Sequence, residues 1–389
     1  MSNPVNGRRS HGVTGWLVPA AAVLVVVGGG AAAATALLRQ AHTSATAAAG
    51  KTLRTARSSP HAAPSPVAPP TRSPVTRTSL PAPSPAASPS GTAGASASAG
   101  PADWTYPAPI DQQAYSDDNA TINSVSCVTA VTCYAVDSDG DVLASTALNS
   151  WRVVNTTDGG TSLTAISCAS ASDCVAVDDS GQAVMLSGGS WSDPVAIDSG
   201  GQLNDISCPT TTFCLAVGEN GQGFFFTGSA TRWSQVTIDP NQDNLTSVSC
   251  PSVAFCVVVD DAGNAYTYRG GKWDGGQSVD ENGLAQVSCS SASFCVAIDS
   301  QYGNPVTMTG GTWSGLTVNE TLQAISCPAD GYCVAVDGSG GVTYYRDGRW
   351  SGVTKIDGND SFNAISCVAE NACVAVDQYD NVMYYAPAA

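Results

Sequence analysis

The side chains of this sequence with chemistry to offer are fourteen cysteines and a surplus of carboxylates, 32 Asp and Glu against 15 Lys and Arg. The cysteines form seven pairs with five residues between partners: Cys127/Cys133, Cys168/Cys174, Cys208/Cys214, Cys250/Cys256, Cys289/Cys295, Cys327/Cys333 and Cys367/Cys373. An even count at one short spacing points to seven disulfides, which persist outside the reducing cytoplasm. Zinc is the competing use of paired thiols. It needs four N or S ligands, grouped as C-x2-C or joined by histidine, and the three histidines, His11, His42 and His61, all precede the pairs.

The same inventory narrows catalysis. With no histidine after His61 and every thiol paired, Ser-His-Asp and Cys-His systems cannot be assembled there. No G-x-x-x-x-G-K-[ST] phosphate loop is present. Paired carboxylates alone suffice for glycoside hydrolysis, yet nothing sets two of them apart. The reading that follows is a non-enzymatic binding or sensor module, with a carbohydrate-active hydrolase or lyase and a cell-envelope scaffold as alternatives. The alternation Asp137-Ser138-Asp139-Gly140-Asp141 is a candidate calcium loop of oxygen ligands; no other cofactor is expected.

The elements that position these groups repeat. The pairs recur every 38 to 42 residues, a period that marks stacked units burying a shared core. One unit reads Trp191 to Ile197, Leu203 to Cys208, Cys214 to Val217 and Gly223 to Thr227, each a short apolar run bounded by turn residues. Between the last two runs lies Gly218-Glu219-Asn220-Gly221, and Asp-Ser-Asp-Gly140, Asp-Asp-Ser-Gly181, Asp-Asp-Ala-Gly263 and Asp-Gly-Ser-Gly340 stand there elsewhere, the chemistry of hairpin turns. Four antiparallel strands per unit make a propeller blade. The expectation is an all-β, seven-bladed β-propeller of four-stranded blades, the Leu-x-x-Ile-Ser-Cys strand innermost and one disulfide per blade. Trp104 supplies the outer strand of the last blade, beside residues 381 to 386, and closes the ring. Phe213, Phe255, Phe294 and Tyr332, each just before a second cysteine, read as packing residues.

The turns that end in tryptophan carry a resemblance. Ser187-Gly-Gly-Ser-Trp191, Arg269-Gly-Gly-Lys-Trp273, Thr309-Gly-Gly-Thr-Trp313 and Arg346-Asp347-Gly348-Arg349-Trp350 resemble the Asp-box repeats of bacterial neuraminidases and of photosystem II assembly-factor-type propellers over residues 104 to 389. Only the last keeps an aspartate, so the resemblance implies fold more than function. A sialidase of that family would need an arginine cluster with a tyrosine nucleophile and a glutamate, whereas all five propeller arginines stand beside tryptophans.

Charge is unevenly placed. Residues 1 to 103 hold eight of the bases and one acid, leaving seven bases against 31 acids in the propeller, a sign that excludes nucleic acid as partner. Turns between second and third strands and connections between blades share one end of a propeller, and 25 of the 31 acids fall there. The candidate binding residues of this acidic end are Asp137, Asp139, Asp141, Asp178, Asp179, Asp260, Asp261, Asp299, Asp337 and Asp377, with Tyr115, Tyr302 and Tyr379 for a protein, peptide or glycan partner.

Ahead of the propeller, residues 1–15 are a short basic segment and 16–38 an apolar stretch, roughly 35 Å long as a helix. That stretch is a transmembrane anchor or a signal peptide. Residues 39–103 are rich in Ala, Ser, Thr and Pro, a disordered stalk on the order of 100–200 Å. The chain is thus expected to be extracytoplasmic, anchored at the cell surface or secreted if cleaved, with a monomeric propeller whose acidic end points away from the membrane. Its style resembles exported proteins of high-GC Gram-positive bacteria.

Overall fold

The structure, a computed structural model, describes residues 104–105, 107–110, 120–147, 150–157, 160–228, 233–315, 318 and 321–385. Tyr115 and the three N-terminal segments, with the anchor, signal, stalk and orientation expectations attached to them, lie outside the described residues.

Seven antiparallel sheets follow one another along the chain. Their first strands cover Ile122–Cys127, Leu163–Ser170, Leu203–Thr210, Leu245–Ser252, Leu284–Ser291, Leu322–Ala329 and Phe362–Ala369. These are innermost, since each packs against the first strands of the blades on either side. The second strands, such as Phe255–Asp260 and Tyr332–Asp337, are buried along their whole length. Both faces of every sheet meet a neighbouring blade, so these strands carry a continuous run of Val, Ala and Cys instead of the alternation of a half-exposed sheet. The seventh sheet is completed by the start of the chain: Ala108 pairs with Val382, Pro109 with Asn381, and Trp104 bridges Tyr385.

All seven disulfides are formed, each joining the first strand to the second within a blade, with Cα atoms 4.0 to 4.1 Å apart. They are the seven pairs expected, one per blade, and their place in the fold gives them a second role. The second cysteine of each pair, Cys133, Cys174, Cys214, Cys256, Cys295, Cys333 and Cys373, is at most 2% exposed. One of these seven belongs to each of the seven apolar clusters between blades. Oxidised and packed among Val, Ala and aromatic side chains, they act as small apolar core groups and cross-links, out of reach of a partner. Phe255, Phe294 and Tyr332 are buried beside them, and Phe213 packs on Phe225 with ring centroids 5.6 Å apart, as packing residues should.

The serine before each first cysteine explains the constancy of the Ser-Cys pair. The backbone N–H of Cys168 donates to the hydroxyl of Ser126, Cys208 to Ser167, Cys250 to Ser207, Cys289 to Ser249, Cys327 to Ser288, Cys367 to Ser326 and Cys127 to Ser366, all at 2.9 to 3.0 Å. Every blade is thus bonded to the next, including the seventh to the first. A second set of bonds comes from a bulge that shifts the register one residue into each innermost strand. The extra residue reaches the next blade: Asn123 donates to the carbonyl of Leu163, Thr164 to Leu203, Asn204 to Leu245, Thr246 to Leu284 and Asn363 to Ile122.

Ser288→Ala leaves the Cys327 N–H without its acceptor. The expected cost is about 1–2 kcal/mol, read as a fall in thermal midpoint of roughly 2–4 °C. A midpoint within about 0.5 °C of wild type, the scatter of a neutral surface change, would mean that the ring carries no energy.

Candidate binding face

The acidic end is built from hairpin turns tied to the connections between blades. In each blade the turn after the second strand donates a backbone N–H to the residue preceding the first strand: Ser138 to Thr121, Asp179 to Ser162, Glu219 to Gln202, Asp261 to Asn244, Ser300 to Gly283, Gly338 to Thr321 and Gln378 to Ser361. Turns and connections therefore share one end of the ring, and the disulfides lie at the other end of the same strands.

Six of the aspartates expected to bind a partner are not available to one. Asp137, Asp178, Asp260, Asp299, Asp337 and Asp377 are each at most 4% exposed. Each closes its second strand by turning its carboxylate back onto the hairpin. Asp137 accepts the N–H groups of Asp139 and Asp141, Asp178 those of Ser180 and Gln182, and Asp337 those of Ser339 and Gly341. Buried backbone donors in a tight turn need an acceptor, and a short carboxylate reaches them. The correction has a physical cause: an aspartate repeated at one register position is a turn staple. Asp139, Asp179 and Asp261, one residue or two further on, are exposed, and Asp141 is partly so.

The candidate calcium loop is not brought together: one carboxylate oxygen of Asp137 accepts the N–H groups of Asp139 and Asp141, and the three carboxylates are not among those that converge. Among the described residues, three carboxylates converge instead at Asp239, Asp243 and Asp260, and at Asp357, Asp360 and Asp377. Burial, a side-chain hydrogen bond to Asp377 and the charges of Asp377 and Asp360 lift the Asp357 carboxyl to about 7.

The exposed part of this end does offer a surface. Tyr302 and Tyr379 stand 55% and 63% exposed on two of the turns. Between blades three and four lies a recess of 420 Å³, lined by Gln202, Asn204, Glu219, Asn244, Thr246 and Asp261. Three carboxamides and a hydroxyl with two carboxylates at the rim suit a ligand that is both a hydrogen-bond donor and positively charged. Lys355 is a base on this side, 3.9 Å from Asp337 and donating to the carbonyl of Ser339.

Asp205 belongs to an innermost strand. Ser124, Ala165, Ser247, Gln286, Ala324 and Ala364 hold the same place in the other repeats, so it alone is charged. It accepts from the Ser247 hydroxyl at 2.7 Å and from the N–H of Val248 at 2.8 Å. Burial holds its carboxyl up at about 6. Between about pH 4 and 6 the folded chain keeps a proton that the unfolded chain has released, so stability falls as pH rises through that window. Asp205→Asn is expected to flatten this slope and to raise stability at about pH 8 by roughly 1–2 kcal/mol. Thermal melts from about pH 4.5 to 8 in metal-free buffer check this, and an unaltered slope would refute it.

At the disulfide end, Arg269 lies 4.5 Å over the ring of Phe255 and Arg346 4.7 Å over that of Tyr332, so both serve packing. Blade two differs there. Where blades three, four and five carry Phe213, Phe255 and Phe294, it has Asp173, whose carboxylate accepts from Ser170 and Ser172. The missing ring leaves a cavity of 370 Å³ between blades two and three, lined in part by Met185, Trp191, Val195 and Phe226. The sequence carried that signal in the single repeat with an acid before its second cysteine.

No protein-family model matches this chain, and no curated relative matches it in sequence. Solved structures do match in shape. A YCF48 structure with a bound D1 peptide superposes with a TM-score of 0.60 at 13% identity, covering 74% of this chain and 97% of that one. YCF48 from Cyanidioschyzon merolae gives 0.57 at 10% identity, with 73% and 99% covered. The WD40 β-propeller domain of Doa1 gives 0.58 at 13%, with 73% and 97% covered. The chain shares their fold. At such identity the likeness carries no site from one protein to another.

Proposed function

We propose that this protein is a non-enzymatic, extracytoplasmic binding module that takes a basic, extended segment of a protein or peptide on its acidic end. The observation that carries the reading is the pairing of exposed aromatics with exposed acids. Tyr302 and Tyr379 are two of the three large apolar side chains that stand exposed among the described residues, and both rise from turns of the end that carries Asp139, Asp179, Glu219 and Asp261. Aromatic area set among carboxylates favours lysine- or arginine-bearing ligands through contact, cation–π attraction and electrostatic steering. The peptide bound by the YCF48 propeller of like fold supports a peptide over a glycan. Seven bridged cysteine pairs support an oxidising compartment, and the apolar segment 16–38 would hold or export the chain there.

The test is titration of the whole chain with lysine-rich and acidic peptides at low and high salt. The quadruple variant Asp139→Lys, Asp179→Lys, Glu219→Lys, Asp261→Lys is expected to lose basic-peptide affinity about tenfold or more, as four rim charges together should. Equal binding by the variant would assign these acids to solubility and favour the scaffold reading. Hydrolysis of a glycan by wild type would favour the enzyme.

A further inference from the structure

Two junctions of the ring share one arrangement, with one difference that matters. At each, a connection between blades supplies two aspartates and the second strand of the following blade ends on a third. One carboxylate oxygen from each of Asp239, Asp243 and Asp260, and from each of Asp357, Asp360 and Asp377, lies within 4.8 Å of the others. Asp239 and Asp260 are fully buried; so is Asp377, and Asp357 is 4% exposed.

At the junction of blades three and four the like charges have donors between them. The Tyr266 hydroxyl donates to Asp260 at 3.0 Å, and the carboxylate of Asp239 accepts the N–H groups of Asn241 and Asp243. Tyr266 pairs with Val258, two residues after a second cysteine. In blade seven that place pairs Ala375 with Met383, and methionine donates nothing. Asp377 is satisfied by the N–H groups of Tyr379 and Asn381 and by the Asn381 amide. Among the described residues no donor meets the buried Oδ2 of Asp357. Lys355, two residues away, is turned to Asp337. A buried carboxylate oxygen facing two further carboxylates needs a proton or a cation brought to it.

We propose that Asp357, Asp360 and Asp377 hold a hard divalent cation of the calcium type, which clasps blade six to the ring-closing blade seven. Calcium takes six to eight oxygen ligands in flexible geometry, which three carboxylates and solvent can supply, whereas magnesium demands a near-ideal octahedron. Asp360 is partly exposed, and Gly358 and Asn359 beside it are exposed, which leaves an entry from solvent.

The whole chain, stripped with chelator near neutral pH, is titrated calorimetrically with calcium and with magnesium and melted at each point. Saturable heat is expected with calcium, and a thermal midpoint raised by about 5 °C at a hundredfold excess over Kd, with a smaller response to magnesium. Asp357→Asn is expected to abolish that shift while melting at or above metal-free wild type. Asp360→Asn, at a more exposed position, should lose it too, and Asp243→Asn at the other junction should keep it. Absence of heat and shift at about 10 mM calcium, beyond the weakest extracellular sites, overturns the proposal, as does an undiminished response in Asp357→Asn. A midpoint that ignores calcium but climbs as pH falls from about 8 to 6, with the climb lost in Asp357→Asn, also overturns it and assigns the cluster to a shared proton.

Discussion

Reduction of all seven disulfides in the otherwise native chain is expected to lower the thermal midpoint by roughly 25 °C. Each bridge joins residues only six apart in sequence, so it closes a short loop and contributes about 2 kcal/mol, or roughly 15 kcal/mol for the set. For a propeller of this length the unfolding entropy is on the order of 0.6 kcal/mol/K, which converts that sum into the stated shift. The blades should stay assembled below the new midpoint, because the serine ring and the buried faces do not depend on the bridges. Thermal melts with and without reductant, with thiols counted by mass, provide the measurement. A shift under about 5 °C, equivalent to roughly 3 kcal/mol for the set, would show that the paired strands already hold these loops closed when unfolding begins.

Asp299→Ala should destabilise the protein by about 3–4 kcal/mol, or roughly 5–7 °C, although it removes one acid from an end rich in them. The Asp299 carboxylate accepts the N–H groups of Gln301, Tyr302 and Asn304 at 3.0, 2.5 and 2.9 Å and is 2% exposed. Alanine leaves three turn donors without an acceptor. Asp261→Lys, on an exposed turn residue, should move the midpoint by about 1 °C at most. Blade three is the natural comparison, since it has Gly218 where the staple stands. A Cβ there would come within 2.1 Å of the Gln202 carbonyl, and the turn is carried by Asn220 and Gly221 at φ 59° and 67°. Equal melting of the two variants would falsify the division of this end into buried staples and an exposed surface.

Much of the architecture was legible in the residues. The cysteine period identified the unit, the four short runs and their turns identified the blade, and the even count paired the thiols. These are local properties: strand, turn and cross-strand bridge all form between residues a few positions apart. Aromatic packing ahead of the second cysteine was legible for the same reason. The face that collects the turns followed from connectivity.

What only the tertiary structure decided is which polar groups remain free. Asp137 and Asp139 are two residues apart in the same turn, yet one is buried and spent on backbone N–H groups and the other is exposed. The pairing of Cys295 or Cys333 could be read along the chain, but their complete burial comes from the neighbouring blade that closes over them. Ser288 acquires its role only because Cys327 of the next blade comes to it. Asp357 and Asp377 meet across a junction, and whether a donor stands between them depends on Met383 in place of a tyrosine. Composition and periodicity determine the backbone's path because they act along the chain. The exposure of a carboxylate, and at a junction such as Asp357 with Asp377 its pairing, is settled by groups from other blades, which the chain brings together only when the ring closes.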